Sequence, residues 1–466
     1  MNGPILITGY AGTGKTTRAM GLVEERVTAA AALEHHSLLG MSFMHGARRR
    51  LDQKLAEVCG IFPYRATTID AFALSILNRW RTSLGFSKPF SPKTGDGDLA
   101  EGLFEVQASF DRIRSEAAKL LSTRTVGRLV GLSFPLIVVD EFQDCQGHQL
   151  EIVKALANHT QLLLAADDFQ LLNPIGLDCP AVEWVLELEK EGKAVVEELT
   201  TPRRTTNHAL LQAARCLRDN QRSSVTTVPV ICCPSSPPAA SWIIRNIAMP
   251  PFRWKGSCAV VSPTLDSFVK KTLESCNTQL LKKNLPAVRF NTEISQESEI
   301  KELAEILGIS AGASKDWAQN NANDSPLGQH VIDRVRHYCR LRGIKSIPER
   351  LILAFAERTV STQRAYGHRS SNRTVSTIHG TKNREFENVF VLWNSHTVGR
   401  WSVDEQRRLL YNAITRAKDN CLVLALGSEE SAQSDPVLNL LGPPRPAFAK
   451  KPAASRKVRR SKSNSK

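Results

Sequence analysis

The fold is decided by Ile5-Leu6-Ile7-Thr8-Gly9-Tyr10-Ala11-Gly12-Thr13-Gly14-Lys15-Thr16-Thr17. A short apolar strand runs into a loop in which Gly9 and Gly14-Lys15-Thr16 satisfy the spacing G-x-x-x-x-G-K-[ST], and Lys15 to Val27 reads as a helix. Strand, glycine-rich loop and helix in that order make a phosphate cradle. The glycines turn backbone N–H groups toward phosphate oxygens, and the helix N-terminus adds its dipole. Gly9, Gly12, Thr13, Gly14, Lys15, Thr16 and Thr17 are therefore candidate contacts to a nucleoside triphosphate. Lys15 reaches the β- and γ-phosphates, and the Thr16 hydroxyl is placed to hold Mg²⁺.

A phosphate loop does not say what the hydrolysis drives, so the rest of the chain has to. Leu136 to Val139 is an apolar strand ending in Asp140-Glu141-Phe142-Gln143-Asp144. In that setting Asp140 orients Mg²⁺ and Glu141 takes a proton from the attacking water. A second buried strand, Gln161 to Ala166, ends in Asp167-Asp168-Phe169-Gln170, and Gln170 is a neutral side chain able to order a water or sense the γ-phosphate. Functional residues at the carboxyl ends of strands that alternate with helices describe a doubly wound α/β domain. Further on, Val375–Ile378 and Val389–Leu392 read as strands, and Glu405–Lys418 as an amphipathic helix followed by a strand at Cys421–Leu424. This is a second α/β domain with no phosphate loop of its own. It offers Arg204, near the joint, and Arg416, on the late helix, as candidates to stabilise charge on a transferring phosphoryl group.

Taken in order, GYAGTGKT, VDEFQD and ADDFQ resemble the motifs of superfamily 1 helicases of the UvrD/Rep type. TVSTIHGTKNREFENVFVL (Thr374 to Leu392) is similar to the T-x-H-G-x-K-G-L-E-F segment, and EQRRLLYNAITRA (Glu405 to Ala417) to the E-x-R-R-L-x-Y-V-A-x-T-R-A helix. LLGMSFMHGARR (Leu38 to Arg49), ATTIDAFA (Ala66 to Ala73) and LTTPRRTT (Leu199 to Thr206) resemble the remaining elements. The resemblance implies an α/β fold of two RecA-like parallel-sheet motor domains in tandem with small helical insertions. It places the first over residues 1–204, with an insertion at about 73–132, and the second over 205–442, with a reduced insertion at about 308–372. It carries ATP contacts onto Arg203 and Glu385 and nucleic-acid contacts onto Phe43, Thr68, Phe72, Thr377 and His379. Phe43 and Phe72 read equally well as core residues.

The departures bear on function. The glutamine that reads adenine in the family is missing from the eight residues before Gly9, and its adenine-stacking tyrosine is replaced by Arg203. No aromatic residue follows Gln170 over Leu171–Ile175, where the family stacks bases, and Asp70-Ala71 replace His-Ser. Lys382, Glu385 and Phe386 are kept, with Asn383-Arg384 in place of Gly-Leu.

The formal net charge is +15, of which nine charges lie in the acid-free, Pro/Ala/Ser-rich stretch 443–466, leaving +6 for residues 1–442. That stretch is expected to be a disordered basic tail that docks on nucleic acid, an acidic partner or an import receptor, with a solubilising role as the alternative. The ten cysteines form no C-x-x-C pair, which argues against a zinc cluster and reads as reduced cysteines of a cytosolic protein. Apolar runs fall short of the roughly 18 residues of a membrane span, and with the phosphate loop so early in the chain no signal peptide is expected. Cytoplasmic residence is expected, or nuclear residence from the basic tail.

The reading is an ATP- and Mg²⁺-dependent 3′→5′ translocase or helicase on single-stranded nucleic acid, DNA by resemblance. The alternatives are a motor subunit needing a protein partner, such as a nuclease or a replication or repair factor, in a repair or Gabija-like antiphage complex; an RNA helicase; and a nucleotide-gated clamp. Backbone contacts carry no base information, so the residues leave DNA and RNA open.

Overall fold

The computed structural model describes residues 3–29, 36–43, 45–93, 100–101, 105–172, 179–203, 205–251, 253–288, 290–292, 296–308, 325–343, 347, 349–366, 372–382 and 384–448. The chain forms two compact units. One comprises Met1–Thr206, Thr292–Ser371 and Gly380–Glu385, the other Asn207–Asn291, Asn372–His379 and Phe386–Lys466.

The first unit carries strands β1 (Ile5–Gly9), β2 (Leu38–Ser42), β3 (Tyr64–Thr68), β4 (Phe90–Lys93), β5 (Ala100–Glu101), β6 (Val106–Ser109), β7 (Leu136–Asp140), β8 (Gln161–Ala166) and β9 (Val195–Leu199). Six of them form one sheet in the order β3-β2-β7-β8-β1-β9, with every neighbouring pair parallel. A parallel sheet covered on both faces asks for near-continuous apolar strands, and LIVVD and QLLLAA supply them. Successive residues point to opposite faces. Leu6, Ile137, Val139, Leu162 and Leu164 pack with Ile69, Phe72, Leu150 and Val153, whereas Ile7, Val138 and Leu163 pack with Ala19, Val23, Leu51 and Leu55.

The first insertion differs from the helical one expected. Besides the helices Phe110–Ser122 and Arg124–Ser133, it contains a small sheet in the order β4-β6-β5. The Asn78 side chain anchors it, donating to the Phe90 carbonyl (3.1 Å) and accepting the Phe90 N–H (2.6 Å).

The later insertion belongs with the first unit, a correction to the expected boundaries. Helices Gln296–Ile306, Pro326–Arg342 and Glu349–Tyr366 enclose their own cluster, including Leu303, Val331, Val335, Ile352 and Val360. Helix Glu349–Tyr366 also packs on helix His45–Cys59, and this packing draws the insertion into the first unit.

The second unit is built on β10 (Val230–Cys233), β11 (Cys258–Ser262), β13 (Arg373–Thr377), β14 (Phe386–Asn394), β15 (Ala417–Leu426) and β16 (Arg445–Pro446); with β12 (Asn291–Thr292), at the boundary of the units, its sheet has the order β12-β13-β11-β14-β15-β10-β16. Every neighbouring pair from β13 to β16 is parallel. Val260, Val375, Phe390 and Leu424 share a core with Ile243 and Ile244 of helix Ser236–Ala248 and Phe268 and Leu280 of helix Ser267–Lys282.

Strand β16 corrects the expectation that disorder begins at 443. Arg445 and Pro446 pair with Ile231 and Cys232, Ala447 N–H donates to the Cys232 carbonyl (3.0 Å), and Trp242 Nε1 donates to the Ala447 carbonyl (3.1 Å). Proline is tolerated there because β16 is an edge strand. The rest of the expected tail, 449–466, lies outside the described residues. All ten cysteines are free and nine are buried. Among the described residues no helix is long and apolar enough to cross a membrane.

Candidate nucleotide site

Strand order creates the site. β7, β8 and β1 are neighbours, so their carboxyl ends set Asp140, Asp167 and the phosphate loop side by side. In the loop Gly9, Gly12 and Gly14 take φ of 149°, 82° and 88°. A Cβ on Gly9 would lie 2.3 Å from the Leu199 carbonyl oxygen, an approach that needs glycine; at Gly14, where a Cβ would lie 3.1 Å from Cδ of the exposed Arg203, it is the positive φ that favours glycine. Thr13 is buried and donates its hydroxyl to the Tyr10 carbonyl (2.9 Å), which closes the turn. Lys15 Nζ donates to the carbonyls of Gly9 (2.8 Å) and Tyr10 (3.0 Å) and lies 3.7 Å from the Asp167 carboxylate. Thr17 is exposed on the helix that follows.

Thr16 Oγ1 donates to Asp140 Oδ1 at 3.1 Å. A hydroxyl and a carboxylate converging from two elements fit Mg²⁺, which is commonly held by one or two carboxylates together with phosphate oxygens and waters. Among the described residues no group of three or more His, Cys, Asp or Glu side chains suits a metal.

Glu141 follows in the left-handed region, φ 55° and ψ 43°, an uncommon conformation for a residue with a side chain. Its Oε2 accepts from Gln143 Nε2 (2.7 Å), and Gln143 Oε1 accepts the Asp167 N–H (3.0 Å). Gln170 Nε2 donates to Asp167 Oδ2 (3.0 Å), so the ends of β7 and β8 form one network. Burial and the neighbouring Glu141 charge push the Asp140 carboxyl above its ordinary value, against Arg50, Lys54 and the Thr16 hydroxyl. Burial acts the same way on Glu141. There the Lys382 charge, the Gln143 hydrogen bond, Arg50 and Lys15 outweigh it, and the carboxyl is held low. A carboxyl held low in this way suits the role of a general base.

Lys382 contributes more than that field. Its Nζ forms an ion pair with Asp144, which is buried at the end of the same turn, and burial above all raises Asp144 to about 6. Glu385 of the same loop lies 3.8 Å from Arg50. Arg203 is exposed, its backbone N–H donates to the Gly12 carbonyl (2.7 Å), and its side chain covers Gly14. Gln143, Asp144, Asp167, Lys382 and Arg50 were not among the expected site residues. Four of the five stand inside the quoted motifs and Arg50 directly follows one, and the acids flanking Glu141 and Gln170 were the available signal.

The expected nucleic-acid contacts fare unevenly. Phe43 is exposed just past β2, and Thr377 and exposed His379 lie at the end of β13 in the second unit. Phe72 is 1% exposed, a core residue of the first unit, which corrects its assignment as a contact. The buried Thr68 hydroxyl caps helix Ile69–Trp80 by accepting from Ala71 N–H (3.2 Å). Asp70, which replaces the family's histidine, is occupied by the two-pronged Arg114 ion pair (2.7 and 2.8 Å) and by Gln149 (2.8 Å). In the second unit Arg416 is buried at the end of helix Val403–Ile414, donating through Nε to the Asn412 carbonyl (3.1 Å). Arg204 lies outside the described residues.

Comparison with protein families agrees with this geometry. A family model described as UvrD-like helicase C-terminal domain matches residues 373–424, and one described as AAA domain matches residues 1–175. No curated protein matches the chain.

Proposed function

We propose that this chain, which belongs to the UvrD/Rep-type superfamily 1 helicase family, hydrolyses ATP to travel 3′→5′ along single-stranded DNA. The observation that carries the reading is the convergence of Lys15, Thr16, Asp140, Glu141 and Gln170 at the carboxyl edge of β7-β8-β1. Phosphoryl transfer needs positioning and charge stabilisation more than covalent chemistry from the protein, and this set supplies both. Lys15 holds the β- and γ-phosphates, and the ionised Glu141 takes a proton from the attacking water. Gln170, held by Asp167, orients that water. Mg²⁺, when bound through Thr16 and Asp140, neutralises charge on the β- and γ-oxygens. Arg416 is the candidate arginine finger, with Arg204 beside it in role, and Arg203 and Glu385 flank the nucleotide.

Phe43, Thr377 and His379 are the proposed contacts to the strand. The buried Phe72, the engaged Asp70 and the lack of aromatic residues over 171–175 thin the surface available for base stacking. That favours a second reading in which the motor works with a protein partner, such as a nuclease or a repair factor. We place the protein in the cytoplasm, or in the nucleus if the basic tail serves import. The test is the ATPase rate without polymer, with single-stranded DNA and with single-stranded RNA. Stimulation by DNA supports the proposal, stimulation by RNA alone moves the track to RNA, and no stimulation by either removes the motor reading.

A further inference from the structure

The turn that presents Glu141 is held at both ends. At one end Gln143 bridges the Glu141 carboxylate and the Asp167 N–H. At the other, Asp144 N–H donates to the Glu141 carbonyl (3.0 Å), and Asp144 Oδ1 accepts from Lys382 Nζ. The Asp144 and Lys382 side chains are only 3% and 10% exposed. Asp144 Oδ2 has no hydrogen-bond partner among the described residues, so Lys382 is the side chain that anchors this carboxylate. The lysine arrives on the loop Gly380–Glu385, which is fastened a second time where Glu385 meets Arg50.

A left-handed, non-glycine residue persists only where its surroundings over-determine it, and such strain clusters at functional sites. The Gln143 bridge fixes the carboxylate of Glu141 but not the far end of the turn. The loop fixes that end.

We propose that Lys382 is a positioning residue for hydrolysis, holding the Glu141–Asp144 turn in its working geometry through the ion pair with Asp144. The proposal rests on the reading of Glu141 as the base. Lys382 touches no reacting atom in this role and acts through the turn. Its removal therefore lowers the rate of the chemical step and leaves nucleotide affinity nearly unchanged.

Removing one member of a buried ion pair strands the other charge, so Lys382→Ala alone can fail by unfolding. The deciding variant is the double substitution Lys382→Met with Asp144→Leu, an apolar pair that keeps the packing without the clasp. Lys382→Arg, which keeps the charge, serves as the conservative control. The measurement is kcat and KM for ATP at saturating single-stranded DNA, with thermal melting to establish folding. The expected result is a folded double variant whose kcat falls by about 10²-fold, the scale set by misplacement of a catalytic group. Its KM stays close to wild type, and Lys382→Arg retains most of the turnover. A folded double variant with wild-type kcat, or one whose defect lies in KM, overturns the proposal. Glu141→Gln is measured alongside. If it turns over at the wild-type rate the base assignment itself fails, whereas a slow Glu141→Gln beside a fast double variant removes only the role of Lys382.

Discussion

Thr16 and Asp140, 124 residues apart in sequence, meet in a hydrogen bond of 3.1 Å that joins the helix after the phosphate loop to the end of β7. The bond exists because β8 alone lies between β1 and β7 in the sheet, so chain reversals far apart in sequence open onto one edge.

From that edge follows a contrast between two substitutions. Lys15→Ala removes the ammonium proposed to serve the β- and γ-phosphates, so nucleotide affinity and turnover should fall together. Glu141→Gln keeps the shape of the carboxylate and the Gln143 contact but removes the proposed base. It should bind ATP about as well as wild type while turning over roughly 10²–10⁴-fold more slowly. Equilibrium nucleotide binding beside steady-state rates separates the two, and an active Glu141→Gln protein would refute the assignment.

Asp144 gives a pH signature of opposite sign to that of most carboxylates. Its folded value of about 6 lies above the ordinary value of 3.8, so between the two the folded state binds more protons than the unfolded state. Stability should therefore fall as pH rises from about 4 through about 6, with a total effect on the order of 3 kcal/mol. The melting temperature of wild type relative to Asp144→Asn should decline across that range. A difference that stays flat with pH would show that the Lys382 charge offsets the burial of this carboxyl, and would contradict its raised value.

Pairing of β16 with β10 dictates where the basic tail can be cut. Truncation after Phe448 should leave polymer-saturated ATPase and melting intact while weakening nucleic-acid binding. The salt dependence should flatten by about 0.7 in log–log slope for each single-strand phosphate that the shortened chain no longer neutralises. Truncation after Gly442 also strips β16 and should lower the melting temperature. An unaltered salt slope after the first cut would assign the tail to another partner.

Arg203 bears on nucleotide choice. Its side chain covers Gly14 and is exposed, where it can stack on a purine but offers no edge-reading hydrogen bonds. Discrimination built on stacking is weak, so GTP and dATP should support turnover within roughly tenfold of ATP, a gap of about 1.4 kcal/mol. Steady-state kinetics on ATP, dATP, GTP and CTP measures this, and a hundredfold preference for ATP over GTP would reveal a base reader elsewhere.

The sequence made some of this visible and hid the rest, for physical reasons. The phosphate loop and the Asp140-Glu141 strand end were legible because their chemistry depends on short spacings and apolar runs that local pattern preserves. Phe72 misled because an aromatic residue beside a motif looks the same whether it faces solvent or the core. Its burial follows from the phase of helix Ile69–Trp80 against the sheet. β16 and the allegiance of Thr292–Ser371 depend on partners far away in the chain, which composition does not encode. The Lys382–Asp144 pair spans 238 residues, and both members were visible only as motif letters until the fold joined them. The left-handed backbone of Glu141 has no signal in residue type, since glutamate seldom adopts it.

The most direct test of the account is ATP-driven displacement of streptavidin from single-stranded DNA biotinylated at the 3′ or the 5′ end. Movement 3′→5′ predicts ATP-dependent release from the 5′ end, little from the 3′ end, and none by Glu141→Gln. Polymer-stimulated hydrolysis with no release from either end, alone or with a partner protein, would contradict the claim that hydrolysis moves this chain along its strand.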